Sequence, residues 1–418
     1  MIGPSSCISK ILLTALFLLV AWYIFMDINL YLRIKNFPID RSYFYNNSPS
    51  TDVSQYTHNN GELVAGSVSI PSSSSSSSTQ MQTQIQIQSF QSGSSTEDSH
   101  IQYPDIITKR PINYEDNVWI SCTINPICTI TIKSMLLDQT NHYLFSPLAT
   151  IFDDVIGISR SSFITANMIS YFHVFVAILA GRLVASTNLC NRRIGVVFFQ
   201  FRTFLDDLDG HVARQKKHIR GERSEIGTFG FYLDGLCDGL GCIALMIGIF
   251  IFLKNNPPRR GYTQLQAILP TTNETMKHSN ECSITYKVKV TTKKVTRKIV
   301  CFSLILLLSS TGWNRYIAIY QDMLERNDVP SIQFERQNLI MRSDRFFSIA
   351  WLWRCFNVHA LLHCLLLSIF CDKIWEFLRM IQFIGFVVFL CIICATEMHI
   401  LEVESFIFST LTGNNTAL

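Results

Sequence analysis

The chain has 418 residues, of which 48% are hydrophobic and only 16% charged, and its mean hydropathy is +0.23. That balance excludes an ordinary water-soluble domain, which needs more charge to cover its surface. A net charge of +4 gives no electrostatic footing for nucleic-acid binding.

The first apolar run covers residues 11–25, follows Lys10 and has no small-residue cleavage site after it. It predicts an uncleaved signal anchor over residues 1–26. Residues 27–115 are polar, with unbroken serine at 72–78 and recurrent glutamine at 81–88. Such a segment cannot bury enough apolar surface to offset the entropy of ordering it, so we expect a flexible, disordered stem. Apolar residues return among turn residues at 116–162, which predicts an ordered arm at the membrane surface. Cys122 and Cys128 sit in this polar setting and can pair there if it is luminal.

Six apolar segments follow, near residues 163–186, 194–205, 231–253, 299–320, 347–370 and 374–396. Runs of about 20 apolar residues match a bilayer core. With the anchor they predict an all-α polytopic membrane fold of seven helices, its six-helix catalytic domain over 163–398 and a tail at 399–418. The second segment is short unless its helix runs on through Asp206 and Asp209 toward Arg214. Most of the 13 cysteines, such as Cys237, Cys301, Cys355, Cys391 and Cys394, lie in these runs and read as small packing hydrophobes. Gly235 and Gly239 suit close helix packing. His359 and His363 are spaced like a zinc pair, but no Glu lies between them and no third ligand is near, so a packing or polar role is expected.

The informative stretch is residues 201–241, FRTFLDDLDGHVARQKKHIRGERSEIGTFGFYLDGLCDGLG. On a helix, Asp206, Asp209, Gly210 and Arg214 share one face, and so do Gly230, Asp234 and Asp238. Two neighbouring antiparallel helices would aim four carboxylates at one small volume. Carboxylates at the end of a membrane helix are costly and point to function. Their mutual repulsion calls for cations, and hard divalent ions bind carboxylates together with substrate phosphates. Gly210 and Gly230 leave room for a nucleotide to approach the backbone.

These residues, Asp206-x2-Asp209-Gly210-x2-Ala213-Arg214 with Gly230-x3-Asp234-x3-Asp238, resemble the signature of the CDP-alcohol phosphotransferase family at every defining position. Ile164-Thr165-Ala166-Asn167 is similar to the start of that family's first core helix. The resemblance covers roughly residues 160–398. It implies two divalent ions, Mn²⁺ or Mg²⁺, with Asp206, Asp209 and Asp234 as metal ligands and Asp238 as ligand or general base. Gly210, Arg214 and Gly230 would bind the donor. The spacer between Arg214 and Gly230 is longer than the family's usual one and resembles the insect sphingolipid branch, as do the anchor and the stem. That branch implies CDP-ethanolamine as donor, ceramide as acceptor, a Golgi membrane and, for the family at large, a homodimer. A choline or ethanolamine phosphotransferase acting on diacylglycerol is the alternative within the family, and a non-catalytic scaffold or transporter the alternative outside it.

Orientation has one readable signal. The loop at 254–298 carries ten Lys or Arg against Glu274 and Glu281, which favours a cytosolic loop and a site facing a lumen. Glycosylation sequons at Asn46 and Asn414 fall on the luminal side of that arrangement and one at Asn273 on the other. Lys216, Lys217, Arg220 and Arg223 are placed to attract either an anionic donor or lipid headgroups.

Overall fold

A computed structural model of the chain describes residues 4–37, 119–122, 124–217, 227–257, 259–264, 285–326 and 329–409. Most of the expected stem, the three sequons, Arg220 and Arg223 lie outside them. The elements in order are α1 (Pro4–Asn36), α2 (Ile132–Leu136) and a π-helical turn (Asn141–Phe145) leading into α3 (Ser146–Ile156). The core follows as α4 (Ala166–Val184), α5 (Leu189–Lys216), α6 (Phe229–Asn255) and α7 (Thr292–Leu324). It ends with α8 (Ser331–Met341), α9 (Asp344–Phe356), α10 (Val358–Phe370) and α11 (Ile374–Phe408). Between α6 and α7 the basic loop carries an antiparallel strand pair, β1 (Arg259–Gln264) and β2 (Thr285–Lys289).

Six stretches among the described residues are long and apolar enough to cross a membrane: α1 from Leu13, α4, α6, α7, α9 with α10, and α11. Helix α5 is not one of them. It reaches spanning length, as expected, only by continuing through Asp206 and Asp209 to Lys216. Its polar half is tolerable because α4 packs along it.

Helix α1 is longer than the apolar run of the expected anchor, and it is docked. Phe17 and Phe25 are exposed on a lipid-suited face, but past residue 26 the helix turns polar groups inward. Asp27 accepts hydrogen bonds from Tyr143 Oη at 2.7 Å, Trp351 Nε1 at 3.1 Å and Gln139 Nε2 at 3.1 Å. Its carboxylate also stands 3.1 Å from Arg354 Nη2, and both side chains are buried. Arg342 closes the end of α1 by donating to the carbonyls of Ile34 and Phe37.

The segment expected at 347–370 as one helix is two. Asn357 breaks it: its side chain caps α10 by accepting from Ala360 N at 2.8 Å, while its Nδ2 donates to Leu136 O at 3.2 Å. The turn before α11 places Asp372 at φ 58°, and Asp372 pairs with Arg192 at 2.6 Å.

Helix α4 packs on both α5 and α6. Gly181 and Gly248 permit the close approach of α4 to α6, because a Cβ on either would run into backbone of the facing helix. The expectation for Gly235 and Gly239 is corrected by the same measure. A Cβ on either meets nothing within 4 Å, because both face open space rather than a neighbouring helix. The cysteines are also less uniform than expected: Cys237 is buried, while Cys355, Cys364, Cys391 and Cys394 are exposed on helix faces. Cys122 and Cys128 form a disulfide in the arm, with their Cα atoms 5.3 Å apart.

Candidate active site

Since α5 and α6 both lean on α4, a cavity of about 1020 Å³ opens between them. All seven site residues read from the sequence line it: Asp206, Asp209, Gly210 and Arg214 from α5, and Gly230, Asp234 and Asp238 from α6. Gly230 lies on open space, so a side chain there would intrude only on the cavity. At Gly210 a Cβ would stand 3.2 Å from Arg214 Nη1, so this glycine leaves the guanidinium its place.

Asp206, Asp234 and Asp238 each offer a carboxylate oxygen, and His173 a ring nitrogen, with all four atoms within 4.8 Å of one another. Asp209 stands slightly apart from this group. Its Oδ2 accepts a hydrogen bond from Ser170 Oγ at 2.7 Å and lies 3.8 Å from His173 Nε2. Asp206 Oδ1, Asp234 Oδ1 and both ring nitrogens of His173 are buried without hydrogen-bond partners. Unsatisfied buried acceptors on converging carboxylates are expensive unless a cation takes them up. A carboxylate-rich set with one imidazole fits a hard divalent ion such as Mg²⁺ or Mn²⁺.

Arg202 is the second feature the motif does not contain. It is almost wholly buried on α5, pairs with Asp238 across the cavity and stands 4.0 Å from Asp206. Gly241 leaves it space, since a Cβ there would be 3.2 Å from its Nε. Asp238 is therefore held by a guanidinium, not free. The sequence did carry a faint signal for the α4 contribution: Asn167, Ser170 and His173 recur every third residue on an otherwise apolar helix. Thr165 caps that helix, accepting from Met168 N at 3.4 Å.

The remaining candidates fall elsewhere. His211 lies 3.4 Å from Asp153 and braces α5 against α3. His363 takes the polar role expected of it, 3.2 Å from Gln200 Nε2 and 3.5 Å from Asp138. Burial would push the Asp138 carboxyl up, but His363, His359 and the Asn141 amide together hold it below its ordinary value. His359 lines the cavity with its ring edge-on to Trp313. Lys216 donates to the carbonyls of Ser161 and Ile164, tying the end of α5 to the segment before α4, while Lys217 lines the cavity.

Away from the carboxylates the cavity is apolar, walled by Ile243, Met246, Ile247 and Phe250 from α6 and by Ile299, Val300 and Leu306 from α7. One end thus suits phosphates and cations and the other a hydrocarbon chain.

A family model described as "Ceramide phosphoethanolamine synthase" matches residues 1–410 of the chain. A ceramide phosphoethanolamine synthase of Drosophila melanogaster is 56% identical over 418 residues, covering 100% of both chains. No solved structure matches the chain.

Proposed function

Because the chain belongs to the ceramide phosphoethanolamine synthase family, we propose that it moves phosphoethanolamine from CDP-ethanolamine to the primary hydroxyl of ceramide, releasing CMP. The observation that carries this reading is the meeting of three carboxylates and an imidazole, within 4.8 Å, at the polar end of a cavity with apolar walls. A nucleotide diphosphate and a lipid hydroxyl can come together there.

Asp206, Asp209, Asp234 and Asp238 hold the divalent ions, with His173 beside them; two ions, Mn²⁺ or Mg²⁺, are part of the proposal. Bound there, the ions neutralise the donor's phosphates and the charge on departing CMP. Gly210 and Gly230 give the nucleotide room, and Arg214 faces its phosphates, where a planar guanidinium matches two oxygens at once. The ceramide oxygen forms a bond to the β-phosphorus as the bond from that phosphorus to CMP breaks. Asp238 takes the hydroxyl proton, its carboxylate oriented by Arg202. The apolar walls hold the acceptor's chains.

The proposal extends to a homodimer in the Golgi membrane with the site open to the lumen. The Cys122–Cys128 disulfide supports that side, because disulfides persist in oxidising compartments and this one precedes α2, whose Lys133 lines the cavity. Purified protein given labelled CDP-ethanolamine and Mn²⁺, with ceramide and diacylglycerol offered in parallel, tests the reaction. Labelled product on ceramide supports it. Product on diacylglycerol alone overturns the acceptor, and no product on either overturns the reaction.

A further inference from the structure

Helix α2 has five residues, too few to hold its own shape in isolation. It is fixed from outside. Trp313 Nε1 and Asn357 Nδ2 both donate to Leu136 O, at 2.9 Å and 3.2 Å. Arg354 Nη1 donates to Ser134 O at 3.0 Å, and Glu325 Oε1 accepts from Ile132 N at 2.6 Å. Thr131 and Ser134 close a reciprocal capping box at its start. Ile132, Ser134, Met135 and Leu136 are all buried. The remaining residue is Lys133, and it lines the cavity, near enough to feel the charge of Asp234.

Among the described residues the Lys133 ammonium has no hydrogen-bond or salt-bridge partner. A cation held on a rigid mount at the cavity wall, with no hydrogen bond or ion pair of its own, is placed to meet an anion that enters the cavity. The anion expected in this cavity is the donor's diphosphate. We propose that Lys133, from the arm outside the six-helix core, binds a phosphate oxygen of the CDP-alcohol donor. The arm is then part of the active site, and its buried bonds to α7 and α9 position a substrate ligand. This inference rests on the donor named above.

Direct binding of CDP-ethanolamine to the purified full chain with Mn²⁺ tests it without requiring turnover. Lys133→Met should weaken that binding about tenfold, the loss of one charge-assisted hydrogen bond, and Lys133→Arg should restore most of it. In turnover, KM for the donor should rise while KM for ceramide holds. A lysine that merely offsets Asp234 would behave differently: K133M would tighten Mn²⁺ and leave donor affinity unchanged, which overturns the proposal. Unchanged thermal unfolding of K133M accompanies the expected result; a loss of binding matched by a lowered Tm and not rescued by arginine overturns it. Wild-type protein that binds the donor but makes no ceramide product would sink the proposed reaction while leaving the Lys133 contact standing.

Discussion

His173 Nε2 stands 3.8 Å from Asp206 Oδ1 and 3.8 Å from Asp209 Oδ2, so a single imidazole on α4 faces both carboxylates of the α5 motif. The family signature lies on α5 and α6, and α4 brings His173 to the same group of carboxylates. His173→Ala should leave the protein inserted while raising the Mn²⁺ concentration for half-maximal activity about tenfold or more. A metal titration of activity reads this directly, after chelation has removed bound ions. An unchanged metal requirement would place His173 outside the site.

The two ends of the carboxylate group should differ. Asp238 belongs to the tight set and Asp209 is drawn toward Ser170. Asp238→Asn should lower kcat by about 10²–10⁴, the usual worth of a positioned base. Asp209→Asn should cost less. Initial rates at saturating donor and ceramide, with unchanged elution of both variants on size exclusion, decide the order.

The buried pair of Asp27 and Arg354 joins α1 to α9. Removing one partner leaves the other's buried charge without its counter-ion. Asp27→Asn or Arg354→Met should each destabilise the detergent-solubilised protein by about 3–5 kcal/mol. Combining them should recover part of the loss, since neither charge is then stranded. Thermal unfolding of the four proteins gives the cycle; strictly additive losses would show that the pair does not act as one.

Glycine positions offer a contrast between packing and space. Gly248→Val should prevent normal accumulation, because its side chain would meet the Gly181 backbone. Gly235→Ala, with nothing within 4 Å, should accumulate as the wild type does. Immunoblot of membrane fractions reads both, and equal levels of the two variants would refute the packing assigned to Gly248.

Much of the site was legible in the sequence because its acids lie on two helices at helical spacing, so Asp206, Asp209, Asp234 and Asp238 announce themselves in one dimension. His173, Arg202 and Lys133 do not. Each becomes meaningful only when α4, α5 and α2 are brought together, and the spacing along one helix says nothing of its neighbour. Gly235 and Gly239 show the converse error: a small residue marks either a close approach or an open cavity, and the pattern is the same for both. The break at Asn357 was hidden inside an apolar run, since the partner that satisfies it, Leu136, lies far away in the chain. The length of α1 was missed for the same reason, as Asp27 reads as the end of an apolar span until Arg354 is seen beside it.

Helix α5 carries Arg202, Asp206, Asp209 and Arg214 on a stretch too polar to partition into lipid unaided. Its acids find Ser170 and His173 only on α4, and residues 185–188 are all that separate the two helices. The short connection lets α4 and α5 stand as a hairpin, in which the partner that makes α5 tolerable in lipid is its immediate neighbour in the chain. The acids of the site on α5 thus depend for their surroundings on the helix made just before theirs.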